Sequence, residues 1–193
     1  AEVISGDEEA TLSFVGAVKG FQILQPAVGR VGFASTVTVR QVDALGNFVP
    51  IGNSLVTLNS DGSSTGGGTV LLVAGEGTIG ITDTVAETVK LTLSDSANTG
   101  YNVSATRSLQ FRAQFASKFF IAVPLFNIVN VPATITVQAL DQYGNLDTTF
   151  RGSVTLKSTG AATGAGLVAI VNGFGTKVLN DANPDATPAQ RMA

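Results

Sequence analysis

The chain has 193 residues, 44% of them apolar and only 13% charged, with a net charge of -3; that is length for one large domain or for two sandwiches of about 100 residues each. It contains no cysteine, histidine or tryptophan, which removes thiolate nucleophiles, imidazole bases, disulfides and most zinc or transition-metal sites. The acidic balance argues against nucleic acid, which needs Lys/Arg patches, and no apolar run approaches the roughly 20 residues of a membrane helix, so no membrane insertion is expected.

The chain opens Ala1-Glu2, which suits a mature end left by signal-peptide cleavage and hence an exported protein. Asp7-Glu8-Glu9 reads as a solvated acidic terminus in preference to a cation site. Thr36 to Val39 alternates hydroxyl and apolar residues, the period of a strand with one buried face, so Val37 and Val39 should point inward. Asp43-Ala44-Leu45-Gly46-Asn47 follows, a hairpin signal with Gly-Asn able to take positive φ. Beyond it come a Gly-rich loop from Asp61 to Gly68, Val70 to Val73, a Gly75-Glu76-Gly77 turn, Thr78 to Thr82, Thr88 to Leu93 and Ala105 to Phe111. Short strands with turns every eight to twelve residues describe a sandwich.

The same pattern then repeats at a fixed offset of 98 residues, which carries Asp43 to Asn47 onto Asp141 to Asn145, and Val37 and Val39 onto Ile135 and Val137. Pro26 falls on Pro124, Ile23 on Ile121, Val56-Thr57-Leu58 on Val154-Thr155-Leu156, and Gly75, Gly77, Thr78 and Asp83 on Gly173, Gly175, Thr176 and Asp181, with no gap. A register held that long marks a duplicated domain. The run Ser35 to Asn47, with Val56-Thr57-Leu58 and Gly75-Glu76-Gly77-Thr78, resembles the bacterial and archaeal Ig-like repeats of invasin- and intimin-type adhesins, surface-layer proteins and giant secreted proteins. The resemblance implies an all-β chain of two tandem immunoglobulin-like β-sandwiches, displayed outside the cell or at its surface; with neither imidazole nor thiol, no enzymatic role is expected. The expected division is an N-terminal extension over 1–16, a first domain over 17–112 and a second over 113–193.

The second copy departs from the first near its end. Where the first has the alternating strand Glu87 to Leu93 and then Ser108 to Phe111, the second has Pro184 to Ala193, with two prolines and no alternation, so the second sandwich is expected to lack its last strand or strands. The N-terminus shows the complementary excess, because Thr11-Leu12-Ser13-Phe14 matches Ser108-Leu109-Gln110-Phe111. Two explanations stand: a piece of a longer array, or subunits that exchange Ala10, Thr11, Leu12, Ser13 and Phe14 as a donor strand. In the second case the chain is its own partner, and the head-to-tail contact produces a filament or surface coat. The competing function is an adhesive or carbohydrate-binding module of a larger surface protein.

Other candidate sites carry blander readings. Asp43, Asn47, Asp141 and Asn145, with Asp147 nearby, could offer oxygens to calcium, but their spacing is not an EF-hand loop and turn chemistry is preferred. No other cofactor is expected. Asn102-Val103-Ser104 is an N-glycosylation sequon. Phe33, Tyr101, Phe126 and Tyr143 would make a glycan platform if exposed together, though most are expected to be packing residues. Glu76, Asp83, Glu87 and Asp95 sit at turns or strand ends with no motif pairing them as catalytic carboxylates, and no catalytic residue is assigned.

Overall fold

The computed structural model describes residues 14–24 and 26–183, and their regular structure is entirely β. One sheet contains β1 (Gly20–Ile23), β2 (Val28–Arg30), β3 (Ser35–Val42), β4 (Asn53–Ser60), β5 (Thr65–Gly66), β6 (Gly68–Val73), β7 (Glu76–Thr82), β8 (Thr88–Ser94) and β9 (Thr106–Arg112). The other contains β10 (Lys118–Ala122), β11 (Ala133–Leu140), β12 (Arg151–Leu156), β13 (Gly166–Val171) and β14 (Phe174–Leu179). The first runs β1-β3-β7-β6-β4-β8-β9-β2, with β5 on β7, and the second runs β10-β11-β14-β13-β12. Moving the first five strands of the longer order along the chain by the repeat offset reproduces the shorter sheet, register included: Val37 faces Ile79 as Ile135 faces Lys177.

The architecture is two tandem Ig-like sandwiches, and among the described residues the second has no strand equivalent to β8, β9 or β2. The described residues cluster into two compact units. The first holds the chain up to Ala27 with Ala34–Thr82 and Thr88–Leu109, while the second holds Val28–Phe33, Asp83–Glu87 and everything from Gln110 onward.

Period-2 alternation accounts for the core. Val37 and Val39 on β3 are fully buried, as are Ile135 and Val137 on β11, because alternate side chains of a strand share one face. Gln41 continues that inward row, and its amide donates to the Ser54 hydroxyl, whereas the second copy places Ala139 there and has no polar side chain to satisfy. In the shorter sheet Ile135, Val137, Ala139, Leu156, Val168 and Ile170 form a buried cluster with Phe150, Val154 and Leu179 packed against it.

Two turn expectations need correction. The β6–β7 turn is Ala74-Gly75, both at positive φ, and Glu76 and Gly77 already belong to β7; Asn172-Gly173 does the same between β13 and β14. Two positive φ values in a two-residue loop are the hairpin geometry that matches strand twist. Gly75 is obligatory, since a Cβ there would lie 2.0 Å from the Val49 carbonyl oxygen. The Asp-x-x-Gly-Asn segments, in contrast, do not join hairpin strands. Each closes an isolated bridge, Val42 to Phe48 and Leu140 to Leu146, after which the chain leaves for β4 or β12, strands that do not neighbour β3 or β11.

Candidate strand-acceptor site

The first sandwich shows how its β1 edge is finished. β1 pairs with β3 on one side. On the other, Phe21 N donates to Asn102 O (3.0 Å), Asn102 N donates to Lys19 O (2.8 Å), and the Phe21 ring meets Tyr101 edge to face at 5.8 Å. β4 is likewise flanked by β8, with Leu58 opposite Leu93, and Val89, Leu91, Leu109 and Phe111 of β8 and β9 are buried.

None of those segments has a counterpart among the described residues of the second copy, and the consequence is visible at equivalent positions. Phe21 and Ile23 are each 4% exposed, whereas Phe119 and Ile121 are 46% and 49% exposed. Phe119 keeps one ring contact, edge to face with Phe150 at 5.5 Å. β10 pairs with β11, β12 pairs with β13, and both lie at the ends of their sheet order. Unpaired amides and carbonyls beside half-exposed apolar side chains are what an added strand satisfies. Phe119, Phe120 and Ile121 were not singled out from sequence as functional. The signal was available in the mapping of Phe21 and Ile23 onto Phe119 and Ile121 together with the missing last strand.

Of the proposed donor strand, Ala10, Thr11, Leu12 and Ser13 lie outside the described residues, as do Ala1-Glu2, Asp7-Glu8-Glu9 and the stretch from Pro184 to Ala193. Phe14 is described, outside any strand and exposed.

Of the four turn residues weighed as calcium ligands, the two aspartates accept from N–H donors, their own turn's asparagine among them. The Asp43 carboxylate accepts from the amides of Gly16 (3.1 Å), Leu45 (2.9 Å) and Asn47 (2.9 Å) and from the Asn47 side chain (3.0 Å). Asp141 accepts from Gln114, Tyr143 and Asn145 amides (3.0, 2.9 and 2.9 Å) and from the Asn145 side chain. Gly16 and Gln114 are one repeat apart, so each carboxylate ties the incoming segment to the turn it caps. The second copy adds a tie, because Asp147 replaces the buried Val49 and accepts from Ala116 N at 2.8 Å. Among the described residues no group of three or more His, Cys, Asp or Glu side chains could hold a metal ion.

The same donors set the acidity of these carboxyls. The Asn47 side chain foremost, then the Gly16 and Asn47 amides, lower Asp43 to about 2. Burial pushes Asp141 and Asp147 upward, but the donors together outweigh it and both carboxyls stay below the ordinary aspartate value. Asp95 is lowered chiefly by the Thr99 amide.

The aromatic expectation is corrected in part. Tyr101 packs on Phe21, but Phe33, Phe126 and Tyr143 are exposed, since all three lie outside the strands. Asn102 is exposed, and its side-chain oxygen accepts from Ser104 N at 2.8 Å. Glu76 begins β7 and pairs with Arg40, while Asp83 and Asp95 follow β7 and β8 and Glu87 precedes β8. Among the described residues no helix is long and apolar enough to cross a membrane.

No protein-family model matches the chain, and no curated protein sequence matches it. Solved structures do. Invasin, a bacterial integrin-binding protein, matches with 13% identity and a TM-score of 0.53, over 84% of this chain and 34% of its own. The Escherichia coli adhesin FdeC matches with 16% identity and a TM-score of 0.47, over 87% of this chain and 57% of its own. Domains 5–6 of the S-layer protein SbsC match with 16% identity and a TM-score of 0.37, over 85% of this chain and 84% of theirs. Glycoside hydrolases of family 2 are among the further matches, at TM-scores of 0.40 and below. The invasin likeness shows the fold, and this chain spans about a third of the invasin chain and somewhat over half of the FdeC chain.

Proposed function

We propose that the chain is a tandem Ig-like module of an extracellular surface structure, an adhesin or a coat, and that its second sandwich is completed by an added strand. The donor is the segment Ala10 to Phe14 of a neighbouring copy, so that copies join head to tail without closing. The observation that carries this reading is the contrast between Phe21/Ile23 and Phe119/Ile121. Full burial of Leu12 and Phe14 in that opening would contribute roughly 1.5 to 3 kcal/mol each, and main-chain pairing would set their register.

Sedimentation of the full chain tests it. Concentration-dependent growth into long assemblies, abolished by Leu12→Asp with Phe14→Asp and accompanied by slowed amide exchange over Phe126 to Ile128, whose counterparts Val28 to Arg30 pair with β9 in the first sandwich, is the expected result. A monomer at every concentration would overturn strand exchange. It would leave the second reading, an adhesive or carbohydrate-binding module, which the exposed rings of Phe33, Phe126 and Tyr143 favour. Chemical-shift changes at those rings on titration with oligosaccharides would support that alternative.

A further inference from the structure

The strands β10, β11 and β14 have a second face, turned away from the core. One row of it is Phe120, Gln138 and Phe174, which lie side by side in register across the three strands. Phe120 is 51% and Phe174 45% exposed. Alternation puts this row outside: Val137 and Ala139 on either side of Gln138 are buried, and a Cβ on Gly175, next to Phe174, would meet Val168 and Ile170 of the core. The next row is Ala122, Thr136 and Thr176. Among the described residues Gln138, Thr136 and Thr176 make no side-chain hydrogen bond.

One repeat earlier the same row is Gln22, Arg40 and Glu76. There Arg40 pairs with Glu76 and lies over the Phe48 ring, 4.8 Å from its centroid, so the charged groups satisfy one another. Gln22 is exposed even though Tyr101, Asn102, β8 and β9 finish the first sandwich. The face is therefore the outer one of its sheet, and the segments that finish a sandwich do not cover it. The second copy changes its chemistry, exchanging an ion pair for two phenyl rings with a free amide between them. Large apolar side chains grouped on an outer face mark an interaction surface.

We propose that the row Phe120, Gln138 and Phe174 binds a neutral polysaccharide of β-1,4-linked pyranoses, which rests on the carbohydrate-binding alternative above and names its site and ligand class. Adjacent strands are about 4.8 Å apart, so the two rings, two strands from each other, are separated by about 10 Å. In an extended β-1,4-linked chain alternate sugars turn the same face to a surface, and one disaccharide unit spans about that distance. The C–H face of each such sugar stacks on a ring, while its hydroxyls take the amide of Gln138 and the hydroxyls of Thr136 and Thr176. Among the described residues of these strands the charged side chain on this face is Lys118, and its ammonium already donates to Gln142 O at 3.2 Å, which fits a neutral ligand and not an acidic one. Three strands and the 5 residues of β10 give a face of about 14 by 17 Å, under a third of the roughly 800 Å² per partner in a stable protein interface. That area suits a few sugar rings and not a second copy.

Native gels cast with hydroxyethylcellulose or with glycol chitin test this on the full chain carrying Leu12→Asp and Phe14→Asp, in which strand exchange cannot slow migration. Retardation is expected, and the polymer that retards more tells glucose from N-acetylglucosamine. Phe120→Ala and Phe174→Ala should each weaken it at least about tenfold with unchanged circular dichroism, whereas Gln22→Ala, the position of Phe120 one repeat earlier, should leave it as it is. Retardation that persists in both phenylalanine variants would overturn this face as the site; its loss in Phe33→Ala or Tyr143→Ala instead would keep carbohydrate binding and move it to those rings. No retardation by either polymer would overturn the face and carbohydrate binding together. A sedimentation coefficient that falls on Phe120→Ala would show a second copy on the row and would equally overturn the proposal.

Discussion

β1 and β10 are the same strand met twice, each paired with its neighbour in the same register, Gly20 with Val42 and Lys118 with Leu140. Their apolar side chains nevertheless end in different environments, because among the described residues only the first sandwich has Tyr101 and Asn102 beside that strand and the buried side chains of β8 and β9 in its core. Pairing within the sheet and covering of its edge are therefore supplied by different segments: strand order and register are the same in both copies, while the segments that cover the first edge come from beyond those five strands. Half-exposed Phe119 and Ile121 leave apolar area in water that is worth on the order of 25 cal/mol per Å² when covered.

The largest test of that contrast is truncation at the paired positions. Phe21→Ala should cost about 3 to 5 kcal/mol, as expected of a buried aromatic, whereas Phe119→Ala should cost less than about half as much, both read from denaturant unfolding of the sandwich concerned. Equal losses would mean that the β10 face is covered in solution, and dilution would then show whether a second copy covers it. A comparably large but symmetric effect is expected at the turns the two copies share. Gly75→Ala and Gly173→Ala both place a Cβ at positive φ and within 2.4 Å or less of a carbonyl oxygen, Val49 O and Asp147 O, so each should cost about 1 to 3 kcal/mol or more in thermal unfolding. A neutral result at Gly173 alone would show the second turn to be relaxed.

A smaller difference is expected at the carboxylates. Asp141→Ala strands the Gln114, Tyr143 and Asn145 amides and should cost about 1 to 3 kcal/mol, with Asp147 still tying Ala116 to the second sandwich. Asp43→Ala removes the tie that the first sandwich has at Gly16, so amide exchange near Gly16 should accelerate more than exchange near Gln114 does in Asp141→Ala.

The smallest effect is on pH dependence. Asp43 has a folded pKa of about 2, below its ordinary value of 3.8, so its contribution is complete above about pH 4 and is lost as pH falls through 2. The lowered Asp95, Asp141 and Asp147 act in the same sense. Asp43→Asn should flatten that decline for the first sandwich in acid titrations followed by circular dichroism; an unchanged slope would assign the decline to the other three.

Much of the fold was legible from residues alone. Alternation placed Val37, Val39, Ile135 and Val137 inward, and the unbroken offset made one copy a guide to the other, because strand periodicity and turn chemistry are local properties. The hairpin reading of Asp-x-x-Gly-Asn failed because that motif dictates a tight turn and an acceptor for nearby amides. Which strand the chain joins afterwards depends on β7 and β14 having already taken the free sides of β3 and β11. The aromatic reading failed at Phe33, Phe126 and Tyr143 because burial depends on which distant segment arrives. Composition and pattern thus determined an all-β duplicated chain without imidazole or thiol chemistry. Only the tertiary structure decided that Tyr101 and Asn102 would be the residues beside β1, with the Tyr101 ring edge to face with Phe21, since covering a side chain takes atoms from elsewhere in the fold and no local pattern encodes their arrival.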